Sequence, residues 1–394
     1  MSYAEESFTF TNASGNELAG KLVEPLGPVR AQALFAHCFT CGKDLAAAVR
    51  LGRSLAQQGY RVLRFDFTGL GESEGNFADT TFTSNVADLV AAAKALESRG
   101  APARLLVGHS LGGAAAVAAA AQLPDVKAVA TIGAPAEPGH AGHLFESARA
   151  TIEAEGQAEV RLAGRAFTVR RELLEDLSSS RLDSALQQAH QALLILHSPV
   201  DEIVGIDHAR RLYAAARGSK SFVSLDDADH LLTKRADAEY AAGVLAAWAS
   251  RYLPEPEAEL PVPAGVLRAT ELGQPYTVRL EAGSHALYCD EPKNVGGADK
   301  GPSPVELTAL ALGACTAMTL RMYAGRKEWK IGATEVDVSV EAGEERGSRR
   351  MVRTIRLDAG ALSTEQQERL IEIAGRCPVH RMLGEPTPVI TRWS

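Results

Sequence analysis

The stretch from Leu105 to Gly113, with the sequence LLVGHSLGG, decides how the first part of this chain folds. A short apolar run ends in a Gly-x-Ser-x-Gly motif, and an alanine-rich segment typical of a helix follows it. The order strand, sharp turn, helix strains the serine backbone, and the flanking glycines leave room for neighbouring chains. We expect Ser110 to project from the top of a sheet, at the positive end of the next helix.

Strands and helices alternate on both sides of this motif. Apolar runs predict helices at 51–59 and 87–98, and strands at 7–11, 18–23, 33–37, 60–66, 128–132, 192–197 and 221–225. This alternation indicates a mostly parallel sheet covered on both faces, so the predicted fold class is α/β. The more charged residues 137–191 interrupt it, and we expect them to form a short cap over the carboxyl edge of the sheet.

Two later residues complete a candidate catalytic triad with Ser110. A nucleophilic serine needs a histidine base within hydrogen-bond reach and a carboxylate that orients this base. With this order of strands, the acid and then the histidine should each follow a later strand. Asp201 and His230 occupy these places. Four other aspartates compete with Asp201 as the acid, namely Asp207, Asp226, Asp227 and Asp229.

Residues 1–252 resemble an α/β-hydrolase of the serine esterase type. Besides the motif around Ser110, residues 37–40 resemble the family's His-Gly-x loop, and residues 67–73 resemble the loop after its fourth strand. The resemblance implies that the backbone amides of Phe39 and Leu111 form the oxyanion hole. It also implies a small-molecule acyl ester as substrate. Thioesterase or peptidase activity is an alternative, because cap residues set the acyl pocket.

One position departs from the family pattern. Cys38 replaces the usual glycine, and with Cys41 it forms the sequence Cys-Phe-Thr-Cys. The simple interpretation is two small residues in a tight loop. The alternative hypothesis is that oxidation joins the two thiols, shifts the Phe39 amide and switches hydrolysis off.

A proline- and glutamate-rich segment at residues 253–264 predicts a semi-rigid linker between two domains. The remaining residues, 265–394, have strands before Cys289, a long apolar helix at 304–326, two further strands, a helix from Thr364 and a last strand at 388–392. Strands grouped apart from helices predict an α+β domain.

Two cysteines carry the candidate chemistry of this second domain. Cys315 lies in the middle of the apolar helix, and Cys377 lies on the apolar face of the next helix, so the two can meet in the core. A thiolate that attacks a peroxide becomes a sulfenic acid, which a second thiol converts to a disulfide. His380, close after Cys377, could favour a thiolate.

Residues 265–394 resemble the OsmC/Ohr family of thiol-dependent hydroperoxide reductases. The glycine-rich residues 296–304, the cysteine at 315 and the Cys-Pro-Val-His at 377–380 carry the resemblance. It implies that Cys315 is the peroxidatic cysteine and Cys377 the resolving one. It further implies an organic hydroperoxide and a thiol reductant as partners, and a homodimer formed through this domain.

This domain also departs from its family. Val305 occupies the position of the family's catalytic glutamate, and Glu306 is half a turn out of phase with Cys315. The Ser-Pro-x-Glu start predicts that Glu306 instead caps the helix. The assisting arginine is unassigned, with Arg268 and Arg279 as candidates. An alternative function is therefore a dimerisation or ligand-binding module without turnover. Cys289 is expected to be structural.

Composition excludes several classes of protein. The 394 residues favour two domains, and a net charge of −8 gives no reason to expect nucleic acid or an anionic membrane surface as a partner. We expect no signal peptide in residues 1–10, no membrane span and, from the sparse cysteines, a cytoplasmic location. No cluster of His, Asp and Cys has metal-ligand spacing, so we expect neither a metal nor an organic cofactor.

Overall fold

A computed structural model describes residues 3–162, 164–253, 262–272, 275–343, 348–358, 362–385 and 387–393. The chain forms two compact units, Ser2–Leu260 and Pro261–Ser394. Most of the expected linker, residues 254–261, lies outside the described residues.

The first unit contains alternating strands and helices. Its strands are β1 Tyr3–Thr11, β2 Glu17–Pro25, β3 Ala31–Ala36, β4 Tyr60–Phe65, β5 Ala103–His109, β6 Ala128–Ile132, β7 Gln157–Leu162, β8 Arg165–Arg170, β9 Ala192–His197 and β10 Lys220–Ser224. Its α-helices are α1 Ala46–Gln57, α2 Phe82–Glu97, α3 Leu111–Ala120, α4 Arg149–Glu155, α5 Arg171–Ser179, α6 Asp183–Gln188, α7 Asp207–Ala215 and α8 Arg235–Ala249.

Eight of these strands form one sheet in the order β1-β2-β4-β3-β5-β6-β9-β10. From β4 to β10 all neighbours are parallel, while β1 and β2 extend the sheet by antiparallel pairing. Helices α1 and α8 contribute to the core on one face, and α2, α3 and α7 to the core on the other. The expected α/β fold with a mostly parallel sheet is confirmed.

The segment between β6 and β9 forms the cap. It starts with a 3₁₀ helix at Pro138–Ala148, continues through α4 and the antiparallel hairpin of β7 and β8, and ends with α5 and α6. Phe145 and Phe167, from the 3₁₀ helix and the hairpin, are buried in the same core as Phe77. The cap is therefore packed onto the sheet domain and has a defined structure of its own.

The second unit is smaller and separates strands from helices. Its strands are β11 Leu267–Glu271, β12 Val278–Ala282, β13 His285–Cys289, β14 Thr334–Ala342 and β15 Arg349–Leu357, and its helices are α9 Pro304–Arg326, α10 Thr364–Ala374 and α11 Pro378–Gly384. The first three strands form one antiparallel sheet, and β14 pairs with β15 in another. A small core joins α9 to α10 through Leu320, Leu370, Ile373 and Ala374.

The expected strand at 388–392 is wrong. Residues 387–393 form no strand, and Val389 and Ile390 are 89% and 76% exposed. A strand needs a partner for its backbone hydrogen bonds, and the described part of this chain offers none to this segment.

By length and composition α9 would be able to cross a membrane. A single helix of this kind is weak support for a membrane span, since core helices of globular proteins share these properties. Here α9 packs against β14, α10 and α11.

Candidate active site

Ser110 lies in the sharp turn between β5 and α3. Its φ angle of +55° falls in the left-handed region that residues other than glycine rarely adopt. A Cβ on Gly108 would lie 2.3 Å from the carbonyl oxygen of Gly112, and a Cβ on Gly112 would lie 2.3 Å from that of His37. The turn is thus strained and tightly packed, which explains both glycines.

His230 and Asp201 form a hydrogen-bonded pair. Nδ1 of His230 lies 2.7 Å from Oδ2 of Asp201, and the two side chains are 9% and 2% exposed. The other carboxylate oxygen accepts hydrogen bonds from the backbone amides of Ile203 and Val204, each at 2.9 Å. The competing aspartates have other surroundings: Asp207 binds Arg210, Asp227 binds Lys234, Asp229 binds Thr233, and Asp226 lies in a turn with a φ of +44°.

Ser110 and His230 both lie against the end of β6. The amide of Ser110 donates to the carbonyl oxygen of Ile132 at 2.8 Å. The next residue, Gly133, has a φ of +55°, and a Cβ there would lie 3.1 Å from Oδ2 of Asp201 and 3.3 Å from Nδ1 of His230. Sequence reasoning missed Gly133, although a glycine directly after a strand at the carboxyl edge was an available signal.

His109 anchors the loop that carries His230. Its Nε2 lies 2.6 Å from the backbone carbonyl oxygen of His230, so Nε2–H donates to that oxygen. Burial, reinforced by the nearby His230, lowers the pKa of His109 to about 4. His109 is therefore neutral near pH 7, and its hydrogen bond to the backbone carbonyl oxygen helps to fix the position of His230.

The surroundings of Asp201 favour the ionised form of its side chain. Burial alone would raise its pKa, but hydrogen bonds from His230 and from the Val204 and Ile203 amides outweigh burial and leave the pKa below its ordinary value. Asp201 is therefore ionised near pH 7 and holds a proton on Nδ1 of His230, which leaves Nε2 free to act as a base.

The two amides expected to bind an oxyanion are both available. Within the described residues, neither the Phe39 nor the Leu111 backbone amide donates to a protein acceptor. Leu111 is the first residue of α3, where backbone amides have no partner inside the helix. The close approach of the His37 carbonyl to Gly112 brings the loop with Phe39 to the same helix start.

Residues 37–43, the oxyanion loop, are held at several points. The amide of Lys43 donates to Oδ1 of Asp66 at 2.6 Å, and its ammonium lies 2.8 Å from Oδ2 of the same buried carboxylate. Arg165 of the cap donates to the carbonyl oxygen of Thr40. The ring of Phe39 belongs to an aromatic cluster, whose members are Phe39, Phe77, Phe145 and Phe167.

Cys38 and Cys41 are joined by a disulfide, with Cα atoms 5.4 Å apart. The interpretation of two unlinked small residues is therefore wrong. Cys38 is buried, Cys41 is partly exposed, and Phe39 lies between them. A disulfide thus encloses one of the two expected oxyanion donors.

The second unit contains three free thiols. Cys377 is fully buried and Cys315 partly buried. The Cys377 sulfur lies 3.9 Å from Oγ1 of Thr316, the residue after Cys315 in α9. It also accepts a hydrogen bond at 3.3 Å from the backbone amide of His380, so the described contact of His380 is made by its amide rather than its imidazole. Burial raises the pKa of the Cys289 thiol, consistent with a structural cysteine.

Arg353 contacts Thr316, the residue that lies against Cys377. Its Nη1 donates to Oγ1 of Thr316 at 2.7 Å and to the carbonyl oxygen of Ala374 at 2.9 Å. Both candidates from the sequence, Arg268 and Arg279, lie instead in the separate sheet of β11 and β12. A signal for Arg353 was present, because it lies on the same face of β15 as the apolar Met351 and Ile355.

Glu306 caps α9, as expected. Its Oε2 accepts hydrogen bonds from the amide and hydroxyl of Ser303 at 2.7 and 2.8 Å. The backbone hydrogen bond from Ser303 lowers the pKa of Glu306.

Among the described residues, no group of three or more His, Cys, Asp and Glu side chains is arranged to hold a metal ion.

Comparisons with known proteins agree with both folds. Residues 33–295 match the alpha/beta hydrolase family, and this match covers more than half of the chain, so the protein belongs to that family. Residues 297–392 match the family described as OsmC-like protein, which gives the chain a C-terminal OsmC-like domain. A search of curated protein sequences finds no significant match.

The chain is similar to the esterase domain of a Rhodothermus marinus protein, with 46% identity and a TM-score of 0.53, over 63% of this chain and 99% of that one. Two more distant structures support the fold alone. They are Est1E from Butyrivibrio proteoclasticus with bound ferulic acid (19% identity, TM-score 0.52, 62% and 98% of the two chains) and mouse alpha/beta hydrolase domain-containing protein 10 (20%, 0.53, 62% and 99%).

Proposed function

We propose that the first unit is a carboxylesterase that hydrolyses small acyl esters through Ser110. The observation that carries this proposal is the His230–Asp201 pair packed over Gly133, at the strand end to which the Ser110 backbone is bonded. The similarity to an esterase domain of 46% identity supports the same reaction class.

In this proposal Ser110 attacks the ester carbonyl while Nε2 of His230 takes its proton. The proton then passes to the leaving alkoxide, and water completes the reaction by the same route. Asp201 holds His230 in the required tautomer. The amides of Phe39 and Leu111 bind the tetrahedral oxyanion, and each such donor is worth roughly 3 to 4 kcal/mol in the transition state.

A panel of p-nitrophenyl esters, from acetate to decanoate, tests the reaction and the acyl preference together. We expect Ser110→Ala to abolish turnover of the best substrate, and Ser84→Ala, which removes a hydroxyl from the capping box of α2, to retain it. Ester turnover that survives in Ser110→Ala would refute the assignment.

The acyl group is proposed to be small. The aromatic cluster fills the space beside Phe39 with ring centroids 4.7 to 5.7 Å apart. Short acyl chains should therefore react fastest. Faster turnover of an acyl thioester or of a peptide p-nitroanilide than of every ester would instead favour the thioesterase or peptidase alternative.

We propose a second activity, thiol-dependent reduction of organic hydroperoxides, for the OsmC-like domain. The supporting observation is that Cys377 lies against Thr316, so its thiol is next to the turn of α9 that carries Cys315. In this proposal Cys315 attacks the peroxide and Cys377 resolves the sulfenic acid, after which a thiol reductant restores both. Arg353 holds Thr316 in place between the strand and the helix.

Consumption of cumene hydroperoxide with dithiothreitol tests this second activity. We expect Cys315→Ser to lose it and Cys289→Ser to keep it. Equal peroxide consumption by the unaltered protein and by Cys315→Ser would support the alternative, a module for dimerisation or ligand binding.

We also propose that the protein is a homodimer through its second unit. The supporting observation is the apolar face that α9 exposes, formed by Leu310, Met318 and Met322, together with the exposed Val389 and Ile390. Analytical ultracentrifugation at micromolar concentration tests it, and a monomer at all concentrations would refute it. A cytoplasmic location, expected from the sparse cysteines, is a separate proposal, and in that compartment the Cys38–Cys41 disulfide is open to reduction.

A further inference from the structure

We propose that the Cys38–Cys41 disulfide is a reducible modification site that holds the oxyanion loop in its active geometry, so that reduction by a small dithiol lowers ester turnover. The inference rests on the proposed esterase function, in which Phe39 supplies an oxyanion donor. Its direction is opposite to the one expected from the sequence. Among the residues that the structure describes, the disulfide-bonded loop coexists with a Phe39 amide that has no protein acceptor and with a hydrogen-bonded His230–Asp201 pair.

The bond closes a turn of only four residues around Phe39. The peptide group that carries the Phe39 amide is oriented through its other end, the Cys38 carbonyl oxygen. That oxygen accepts hydrogen bonds from the Cys41 amide at 3.1 Å and from Nδ1 of His37 at 2.8 Å. The first of these hydrogen bonds spans the same turn as the disulfide. Opening the disulfide therefore releases one of the two supports that set the direction of the Phe39 amide.

The turn is strained, so its backbone is expected to change conformation when the disulfide is opened. Thr40 has a φ of +64°, a conformation that a β-branched residue adopts only when its surroundings impose it. Such strain persists in the native state because other bonds enforce it. After reduction, Thr40 is able to relax to an ordinary backbone conformation, and its neighbours turn with it.

The other contacts of the loop do not replace the disulfide. The aromatic cluster holds the Phe39 ring, Arg165 holds the Thr40 carbonyl, and Asp66 holds Lys43 at the far end of the loop. These contacts keep the loop folded against the cap and the sheet. In the described residues none of them is made to the amide that the reaction uses, so the loop stays attached while the donor shifts.

The disulfide is open to exchange from one side. Cys41 is partly exposed, whereas Cys38 is 4% exposed. A thiolate of a small dithiol attacks the Cys41 sulfur, the sulfur–sulfur bond breaks, and Cys38 leaves as a thiolate that takes up a proton. The second thiol of the dithiol then attacks the mixed disulfide, releasing Cys41 as a thiol and the dithiol as a cyclic disulfide. Two electrons and two protons pass to the protein.

The expected effect falls on kcat. An oxyanion donor acts on charge that develops only in the transition state, and loss of one such donor lowers kcat by about 100-fold to 1,000-fold. Because reduction displaces the amide without removing it, we expect kcat to fall at least about tenfold, with KM changed by less than about twofold.

The experiment uses the full-length protein with its disulfide verified by peptide mass mapping. The kcat and KM for p-nitrophenyl butyrate are measured before reduction, after treatment with dithiothreitol and its removal without air, and after reoxidation by oxidised dithiothreitol. Alkylation mapping reports the state of Cys38 and Cys41 at each stage. We expect kcat to fall on reduction and to recover on reoxidation.

Variants separate this site from the other thiols. Cys38→Ser/Cys41→Ser should have the low kcat and no response to the reductant. Cys315→Ser/Cys377→Ser should keep the full response, since it retains the bond at residue 38. If the first double variant does not fold, the reduction and reoxidation of the unaltered chain decide the question.

The outcomes distinguish this inference from the function on which it rests. If the oxidised protein has no Ser110-dependent ester turnover, the esterase proposal fails and this inference falls with it. If that turnover is present and kcat is unchanged within twofold, or higher, when mapping shows both thiols reduced, the esterase stands and only this inference is overturned. A protein in which the two thiols cannot be oxidised would also overturn it.

Discussion

Two apolar helices, α3 and α9, are covered to very different degrees. Helix α3, which follows Ser110, buries nine of its ten residues within the first unit. Helix α9, which contains Cys315, buries six of 23, and its Leu310, Met318 and Met322 are 60 to 65% exposed. The first unit thus covers the helix that follows Ser110 within one chain. The second leaves an apolar face of the helix that carries Cys315 uncovered, which is typical of an interface.

The largest expected effect concerns Asp201, the proposed acid of the first unit. Asp201→Asn should lower kcat for the best ester by about 10⁴-fold, because an amide stabilises the wrong tautomer of His230 and cannot support its positive charge. Asp227→Asn, at a surface aspartate paired with Lys234, is the matched control and should change kcat by less than twofold. Steady-state kinetics of both variants measure the two effects, and an equally small change in kcat for both would show that Asp201 does not orient His230.

The second prediction concerns stability against pH. His109 is buried, and its pKa is lowered from an ordinary value of 6.5 to about 4, so in this range the unfolded chain binds a proton that the folded chain does not. Stability is therefore full above pH 6.5 and falls as the pH approaches 4. At about 1.4 kcal/mol for each pKa unit, His109 contributes a loss of about 3 kcal/mol.

His109→Gln tests that contribution, because its side-chain amide is able to donate to the His230 carbonyl without titrating. Urea unfolding of the first unit is followed by Trp248 fluorescence, with Trp329 and Trp393 replaced by Phe in both proteins. The variant should lose less stability between pH 6.5 and pH 4 than its parent. Parallel curves for the two proteins would contradict the low pKa.

The third prediction concerns Gly133. A methyl group in Gly133→Ala would crowd both His230 and Asp201, so we expect kcat to fall about 10-fold to 100-fold through misplacement of the base. Gly15→Ala, between β1 and β2 of the same unit, also has a positive φ, +84°, and no atom within 4 Å of the added methyl, so it is the control for backbone strain. Equal esterase activity in the two variants would show that the added methyl group at residue 133 does not disturb His230 and Asp201.

The smallest expected effect concerns the exposed face of α9. Met318→Lys introduces a charge into the proposed interface and should raise the dimer dissociation constant by at least about tenfold. Glu368→Lys introduces the same side chain at an exposed site on α10 and should leave the dimer intact. Sedimentation velocity across a concentration series measures both. Unchanged association of Met318→Lys would place any dimer contact elsewhere.

Features encoded over a few neighbouring residues were predictable. The strained turn at Ser110 and the capping of α9 by Glu306 follow from glycines, a serine, a proline and a glutamate at fixed spacings, and the structure contains both. The order of strands and helices in the first unit follows from apolar periodicity for the same reason.

Features that depend on distant segments were not predictable. Gly133 matters because residues 201 and 230 fold over it, and Arg353 was missed because its hydrogen bond joins β15 to Thr316 of α9, 37 residues away in the chain. The expected strand at 388–392 has suitable residues, but strand formation needs a partner that the described chain does not provide. For the Cys38–Cys41 pair, spacing allowed both a free and a bonded state.

Mapping a fluorophosphonate probe on the full-length protein tests directly whether Ser110 is an activated nucleophile. We expect one label per chain, attached to the peptide that contains Ser110 and lost in His230→Ala. Labelling at another residue, or equal labelling in His230→Ala, would contradict it.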